Sequence, residues 1–117
     1  MEKMTADEFR NLALSFPEAT EGAHMDHPDF RVCGKIFATL WTDGEWGVVL
    51  VRPEQQAELL ARAPAVFVPA KGAWGRRGST QVRLCAVDEK TAHRALAMAW
   101  HSVAPKKLAA QSGLTFA

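Results

Sequence analysis

The sequence predicts an α+β domain in which an antiparallel sheet of about five strands is covered by helices on one face. Short segments of alternating apolar side chains are separated by tight-turn residues, and helical stripes stand before, between and after them. The chain has 117 residues, 48% of them hydrophobic, which is enough for one core. We therefore expect a single domain over residues 1–108, with element order α-β-β-β-α-β-β-α, and a loose tail over 109–117.

The first helix follows a capping-box sequence, Thr5-Ala-Asp-Glu8. Apolar residues then recur at helical spacing as far as Phe16, and Pro17 ends the helix. Residues 18–29 are mostly polar and show no alternation, so we expect a polar loop there.

Three strands are expected next, at Phe30–Cys33, Lys35–Trp41 and Trp46–Val51. A glycine reverses the chain after the first of them, and an Asp-Gly pair typical of tight hairpins separates the second from the third. The second strand is apolar on both faces, which predicts a central position in the sheet.

The second half of the chain begins with a short helix that has Pro53 in its first turn. A short strand is expected at Ala65–Pro69, and a glycine-rich loop then leads into a strand at Thr80–Ala86. Asp88 is placed to cap a last helix with a clear apolar stripe.

The glycine-rich loop and the strand after it have the composition that points most directly to a function. Glycines allow close backbone approach to a partner, and the cations and the indole offer charge and a flat stacking surface. The alternative is a solvated hairpin with Trp74 folded onto the core. Arg31 and Lys35 flank another turn and predict a second basic projection. The candidate nucleic-acid-binding residues are therefore Arg31, Lys35, Lys71, Trp74, Arg76, Arg77 and Arg83.

The sequence shows no features typical of membrane proteins, secreted proteins, enzymes or metal sites. No apolar segment approaches the ~18 residues of a membrane span, and the polar N-terminus is unlike a secretory signal, so we expect a cytoplasmic protein. Cys33 and Cys85 are expected to be free, buried thiols. Phosphate-loop, dinucleotide and hydrolase motifs are missing, so we expect neither enzymatic activity nor a cofactor. His24-Met-Asp-His27 lacks the four-ligand set of structural zinc, which favours a turn and no metal.

The net charge is only +1, which argues against strong, indiscriminate binding to nucleic acid. The charge is unevenly distributed, however. Residues 1–30 contain two basic and seven acidic side chains, whereas residues 31–83 contain eight and four. This asymmetry predicts an acidic face and a basic face, and the basic face is compatible with an anionic partner.

Residues 27–38, His-Pro-Asp-Phe-Arg-Val-Cys-Gly-Lys-Ile-Phe-Ala, resemble the signature of the MmcQ/YjbR-like family. Residues 99–108, Ala-Trp-His-Ser-Val-Ala-Pro-Lys-Lys-Leu, resemble its closing helix, and the Pro-Glu pair that opens the middle helix agrees. The matches extend over residues 5–108. The resemblance implies a frataxin/CyaY-like fold and a DNA-binding protein with a "double wing" arrangement. Among the matched residues, we interpret Arg31 and Lys35 as the candidates for phosphate contact, and Pro28, Phe30, Gly34 and Trp100 as structural.

The leading hypothesis is a non-enzymatic nucleic-acid-binding protein whose cations neutralise phosphates while Trp74 stacks on an unpaired base. The second hypothesis is a protein-interaction or small-ligand module on the uncovered sheet face, with Trp41, Trp46 and Trp74. We expect a monomer, or a weak homodimer paired through a strand edge. A third hypothesis, metal binding by the acidic N-terminal region, would use Asp7, Glu8, Glu18 and Glu21.

Overall fold

The structure, a computed structural model, describes residues 4–41 and 43–112 and confirms the α+β class. The helices within these residues are α1 (Ala6–Leu14), α2 (Pro53–Arg62), α3 (Gly72–Arg76), α4 (Glu89–Val103) and α5 (Lys106–Ser112). The strands are β1 (Ala19–His24), β2 (His27–Val32), β3 (Lys35–Leu40), β4 (Trp46–Leu50), β5 (Phe67–Pro69) and β6 (Ser79–Arg83).

The strands form one antiparallel sheet in the order β1-β2-β3-β4-β6-β5. β3 is hydrogen-bonded on both sides, so the central position predicted for it is confirmed. The sheet has six strands, one more than expected. The prediction of a polar loop at residues 18–29 is wrong. Those residues form β1 and the start of β2, joined by a two-residue turn in which Met25 and Asp26 have φ of 47° and 67°. Four of the six β1 side chains are exposed, which removes the alternating pattern.

The predicted helix starts are confirmed by their hydrogen bonds. The Glu8 backbone N–H donates to Thr5 Oγ1 (3.1 Å) and the Thr5 N–H donates to Glu8 Oε1 (2.8 Å). At α4 the Thr91 N–H donates to Asp88 Oδ1 (2.7 Å). Both caps satisfy backbone donors that the first helical turn leaves without an intrahelical partner.

α1 and α4 pack on one face of the sheet and enclose the core. Trp100 of α4 is completely buried, and its indole Nε1–H donates to the Pro17 carbonyl oxygen at 2.9 Å. This bond joins the last helix of the core to the end of the first. The largest other fully buried side chains are Phe9, Phe30, Phe37, Phe67, Leu40, Leu59, Leu84 and Leu96.

β3 contains a β-bulge at Phe37. Phe30 of β2 pairs with Ala38 and Arg31 pairs with Ile36, so Phe37 is an extra residue without an opposite neighbour. The bulge turns both Phe37 and Ala38 into the core, where neither is exposed, while Ile36 stays on the opposite face. This arrangement places apolar side chains of β3 on both faces of the sheet, as predicted.

Two further expectations differ from the structure. The tail predicted from residue 109 is helical as far as Ser112, as part of α5, and residues 113–117 lie outside the described residues. Cys33 and Cys85 are free but exposed, so the predicted burial is wrong. Both lie in turns, and Cys33 with Gly34 forms the two-residue β2–β3 turn. No helix within the described residues is long and apolar enough to cross a membrane.

Candidate functional site

The side of the sheet opposite α1 and α4, here called the open face, contains a cavity of about 520 Å³. It lies between the β1–β2 hairpin and the chain around α3, above the strands between them. Its apolar lining consists of Ile36, Trp41, Val48, Leu50, Ala70 and Trp74. Its polar lining consists of His24, Thr39, Lys71, Ser79 and Gln81.

Strand register explains why side chains distant in sequence meet in this cavity. Thr39 pairs with Val48, and Val48 pairs with Gln81, so the three form one row across β3, β4 and β6. Leu50 pairs with Ser79 two residues further along. Directly opposed residues in a sheet point to the same face, so both rows contribute to the cavity floor.

The glycine-rich segment is a short helix inside the β5–β6 connection, where a loop was predicted. A β-carbon on Gly75 would overlap the carbonyl oxygen of Ala70. A β-carbon on Gly78, which has φ of +113°, would overlap the carbonyl oxygen of Val51. Glycine at these two positions therefore permits close backbone packing that holds α3 against the rest of the chain.

Gln56 of α2 also anchors α3, through hydrogen bonds from its side-chain amide. Its Nε2 lies 3.0 Å from the carbonyl oxygens of Gly75 and Ser79 and 3.2 Å from Thr80 Oγ1. Sequence reasoning missed this residue, because a glutamine on a short helix has no distinctive local signal. We conclude that α3 is a projection whose backbone is anchored by these contacts.

Four predicted site residues come together on this projection, and we call them the α3 wing: Lys71, Trp74, Arg76 and Arg77. All four are exposed. The Trp74 side chain is 65% exposed, so it does not fold onto the core. Besides the large cavity, it lines a second one of about 270 Å³ that Arg77 also lines.

The other predicted cations lie elsewhere. Lys35 is exposed at the start of β3, at the same end of the sheet as α3. Arg83 lies at the opposite end, where it pairs with Trp46 and holds its guanidinium carbon 4.5 Å from the centre of the indole ring. That distance is within the range of a cation–π contact.

Arg31 is held by a neighbouring carboxylate. Its Nε donates to Asp29 Oδ1 (2.7 Å) and its Nη2 to Asp29 Oδ2 (3.0 Å), while His24 Nδ1 lies 2.8 Å from the same Oδ2. Asp29 is fully buried. The Arg31 hydrogen bonds, with help from His24, hold the pKa of the Asp29 carboxyl below its usual value, although burial acts in the opposite direction. The charge of Arg31 is thus largely compensated.

Replacing Asp29 with asparagine should remove this stabilisation in a pH-dependent way. A carboxyl with a lowered native pKa stabilises the fold above its unfolded pKa of about 3.9. The contribution disappears as the pH falls through the native pKa. We expect the Asp29→Asn variant to melt below wild type at neutral pH, and the gap to close between about pH 5 and the native pKa. Melting temperatures over that range measure it, and a gap independent of pH would contradict the pairing.

Three of the four acidic side chains named for metal binding make other contacts. Arg10 contacts Asp7 at 2.7 Å and Glu21 at 3.1 Å, and Glu8 caps α1. Over residues 4–41 and 43–112 no group of three or more His, Cys, Asp or Glu side chains is arranged to hold a metal ion. The geometry therefore gives no support to the metal-binding hypothesis.

The model of the YjbR family matches residues 14–102. The chain belongs to the YjbR family. The resemblance seen in residues 27–38 is thereby confirmed, and the open face and the α3 wing both lie within the matched range. No curated protein matches the chain.

The YjbR fold is also found in a solved structure. The crystal structure of Deinococcus radiodurans protein DR2400, which contains a DUF419 domain, is similar to this chain with a TM-score of 0.71 and 21% identity. The similarity covers 97% of this chain and 91% of that one. At this identity the comparison establishes the shared fold.

Proposed function

We propose that this YjbR-family protein is a non-enzymatic, cytoplasmic nucleic-acid-binding protein that contacts single-stranded DNA through the α3 wing. One observation supports this most directly: a largely exposed tryptophan, Trp74, stands among three cations on a fixed helix at the mouth of an open cavity. Cations beside an exposed aromatic ring are the combination that single-strand binders use.

The cations of the wing are available for phosphate. Among the residues described, Lys71, Arg76 and Arg77 have no carboxylate within ion-pair distance, in contrast to Arg31. Phosphate contacts from such side chains position a strand without reading its sequence. Lys35, at the same end of the sheet, extends the basic surface.

Trp74 favours a single strand over a duplex. Trp74 lines both cavities and is largely exposed, so a base can reach it. The bases of a duplex are already stacked on one another, whereas an unpaired base gains a stacking surface from an indole, worth about 1–3 kcal/mol. Because Gly75 and Gly78 pack closely against neighbouring backbone, binding should cost little backbone entropy in α3.

Fluorescence anisotropy with labelled single- and double-stranded DNA over a salt series tests the proposal. We expect the double variant Arg76→Glu/Arg77→Glu to lose at least tenfold in affinity. The wild-type affinity should fall with salt by a slope of about −0.7 per neutralised phosphate on a single strand. Lys106→Glu/Lys107→Glu, the same charge change on α5, is the matched control and should bind nearly as wild type does. Absent binding, salt-independent affinity, or equal losses in both variants would refute the proposal.

The cavity favours a second candidate function, a small-ligand module on the open face. Its volume of about 520 Å³ lies within the range of about 300–1,000 Å³ that is usual for small-molecule sites. A concave, mostly apolar surface also suits a small ligand better than a broad protein interface. Under this function, Trp74→Ala would abolish ligand binding whereas Arg76→Glu/Arg77→Glu would not.

A further inference from the structure

We infer that the open-face cavity binds a small, flat, mostly apolar molecule with one negative charge, such as an aromatic carboxylic acid, and that Lys71 pairs with the carboxylate. The inference rests on the second candidate function and adds the chemical class of the ligand. It does not depend on DNA binding.

The lining of the cavity favours an apolar, aromatic ligand body. Ile36, Val48 and Leu50 contribute branched aliphatic side chains from adjacent strands, while Trp41 and Trp74 add two indole rings. Burying an apolar ligand surface against such a lining is favourable by about 25 cal/mol per Å². Indole rings also favour aromatic partners in stacked or edge-to-face geometry.

The charges around the cavity select an anion. Lys71 and His24 are its titratable lining residues, and none of the lining residues is acidic. The carboxylate next to His24 belongs to Asp29, which is buried and paired with Arg31. A ligand anion would therefore meet the ammonium group of Lys71 without facing an uncompensated carboxylate from the lining.

Three polar side chains of the lining are available to orient the ligand. Thr39, Ser79 and Gln81 make no side-chain hydrogen bond to any other described residue. Hydroxyl and amide groups beside an apolar surface are the usual means by which small-molecule sites fix orientation. Ser79 and Gln81 lie on β6, which joins directly to the α3 segment that contains Lys71.

Three probes with the same ring and different charge test the inference: naphthalene-2-carboxylate, 2-naphthylmethanol and 2-naphthylmethylammonium. Titrations followed by ¹H–¹⁵N NMR give each Kd and show which amide and indole N–H signals move. We expect the carboxylate to bind at least tenfold more tightly than the alcohol, and the ammonium probe to bind most weakly. The largest shifts should come from Trp41, Trp74 and Gln81.

Two variants separate the role of Lys71 from a general charge effect. Lys71→Met keeps the apolar stem and should remove the tenfold advantage of the carboxylate over the alcohol. Lys107→Met removes an exposed charge outside the cavity and should preserve that advantage. Both positions are exposed, so neither change disturbs the core.

The possible failures can be told apart. Equal affinity for carboxylate and alcohol, or an advantage that persists in Lys71→Met, would overturn the anionic ligand class while leaving the small-ligand function standing. Absence of binding by all three probes, or shifts confined to residues outside the cavity, would overturn both. The anisotropy experiment on DNA is unaffected by either result.

Discussion

The variant Trp100→Ala should lose about 3–5 kcal/mol of unfolding free energy, the usual cost of truncating a large buried aromatic side chain. Trp100 is fully buried between α4 and the end of α1, and truncation also leaves the Pro17 carbonyl oxygen without its indole donor. Domains of this size are stable by only about 5–15 kcal/mol, so the loss is a large fraction of the total.

Urea denaturation of wild type, Trp100→Ala and Trp100→Phe measures this effect. The phenylalanine variant keeps an aromatic ring but lacks the N–H donor, so it should fall between the other two. Trp41→Ala is the control, because that tryptophan is 39% exposed and its removal leaves the core intact. A loss for Trp100→Ala no greater than for Trp41→Ala would show that the contact between α4 and the end of α1 is not a main source of stability.

The second large effect is expected for Gly75→Ala. The added methyl group would overlap the Ala70 carbonyl oxygen, so α3 must move away from the chain that it packs against. Overpacking of this kind costs about 1–3 kcal/mol. Because α3 positions Trp74 and the two arginines of the wing, we also expect weaker DNA binding at temperatures where the variant is still folded.

Gly72→Ala is the matched control for this prediction. Gly72 has φ of +66° and open space around it. Alanine there would cause no clash, and its only cost would be about 1–2 kcal/mol for the left-handed backbone conformation. Thermal melts compare stability, and amide NMR shifts on α3 and β6 show whether the helix has moved. We expect the amide signals to move in Gly75→Ala and not in Gly72→Ala. Equal shifts in the two variants would show that close packing at Gly75 does not fix the wing.

The helices and the core could be predicted because their signals are local. Capping residues such as Thr5 and Asp88 act within one helical turn, and apolar spacing identifies the buried side of a helix directly. β1 was not predicted because it is an edge strand with most of its residues exposed. Its sequence therefore shows no alternation between buried and exposed positions. Its hairpin turn also lacks a glycine.

The candidate site was only partly predictable. Composition alone drew attention to Lys71, Trp74, Arg76 and Arg77, which do lie together. The compensation of Arg31 by Asp29 had a usable signal, because residues i and i+2 of a strand share a face, but it required recognising residues 27–32 as a strand. The cavity had no local sequence signal, because it depends on strand register and on the packing of α3 against distant backbone.

The bulge at Phe37 has a consequence for how residue numbers relate to orientation along β3. Before the bulge, even-numbered Ile36 borders the cavity, and beyond it the odd-numbered Thr39 and Trp41 do so. If the same sequence formed a regular strand with no bulge, Ile36 and Trp41 would lie on opposite sides of the sheet. Deleting Phe37 would remove the bulge and restore regular alternation, with Ile36, Thr39 and Trp41 still on the cavity face. A mutational scan of β3 should therefore find the cavity lining at an even-numbered position before Phe37 and at odd-numbered positions after it.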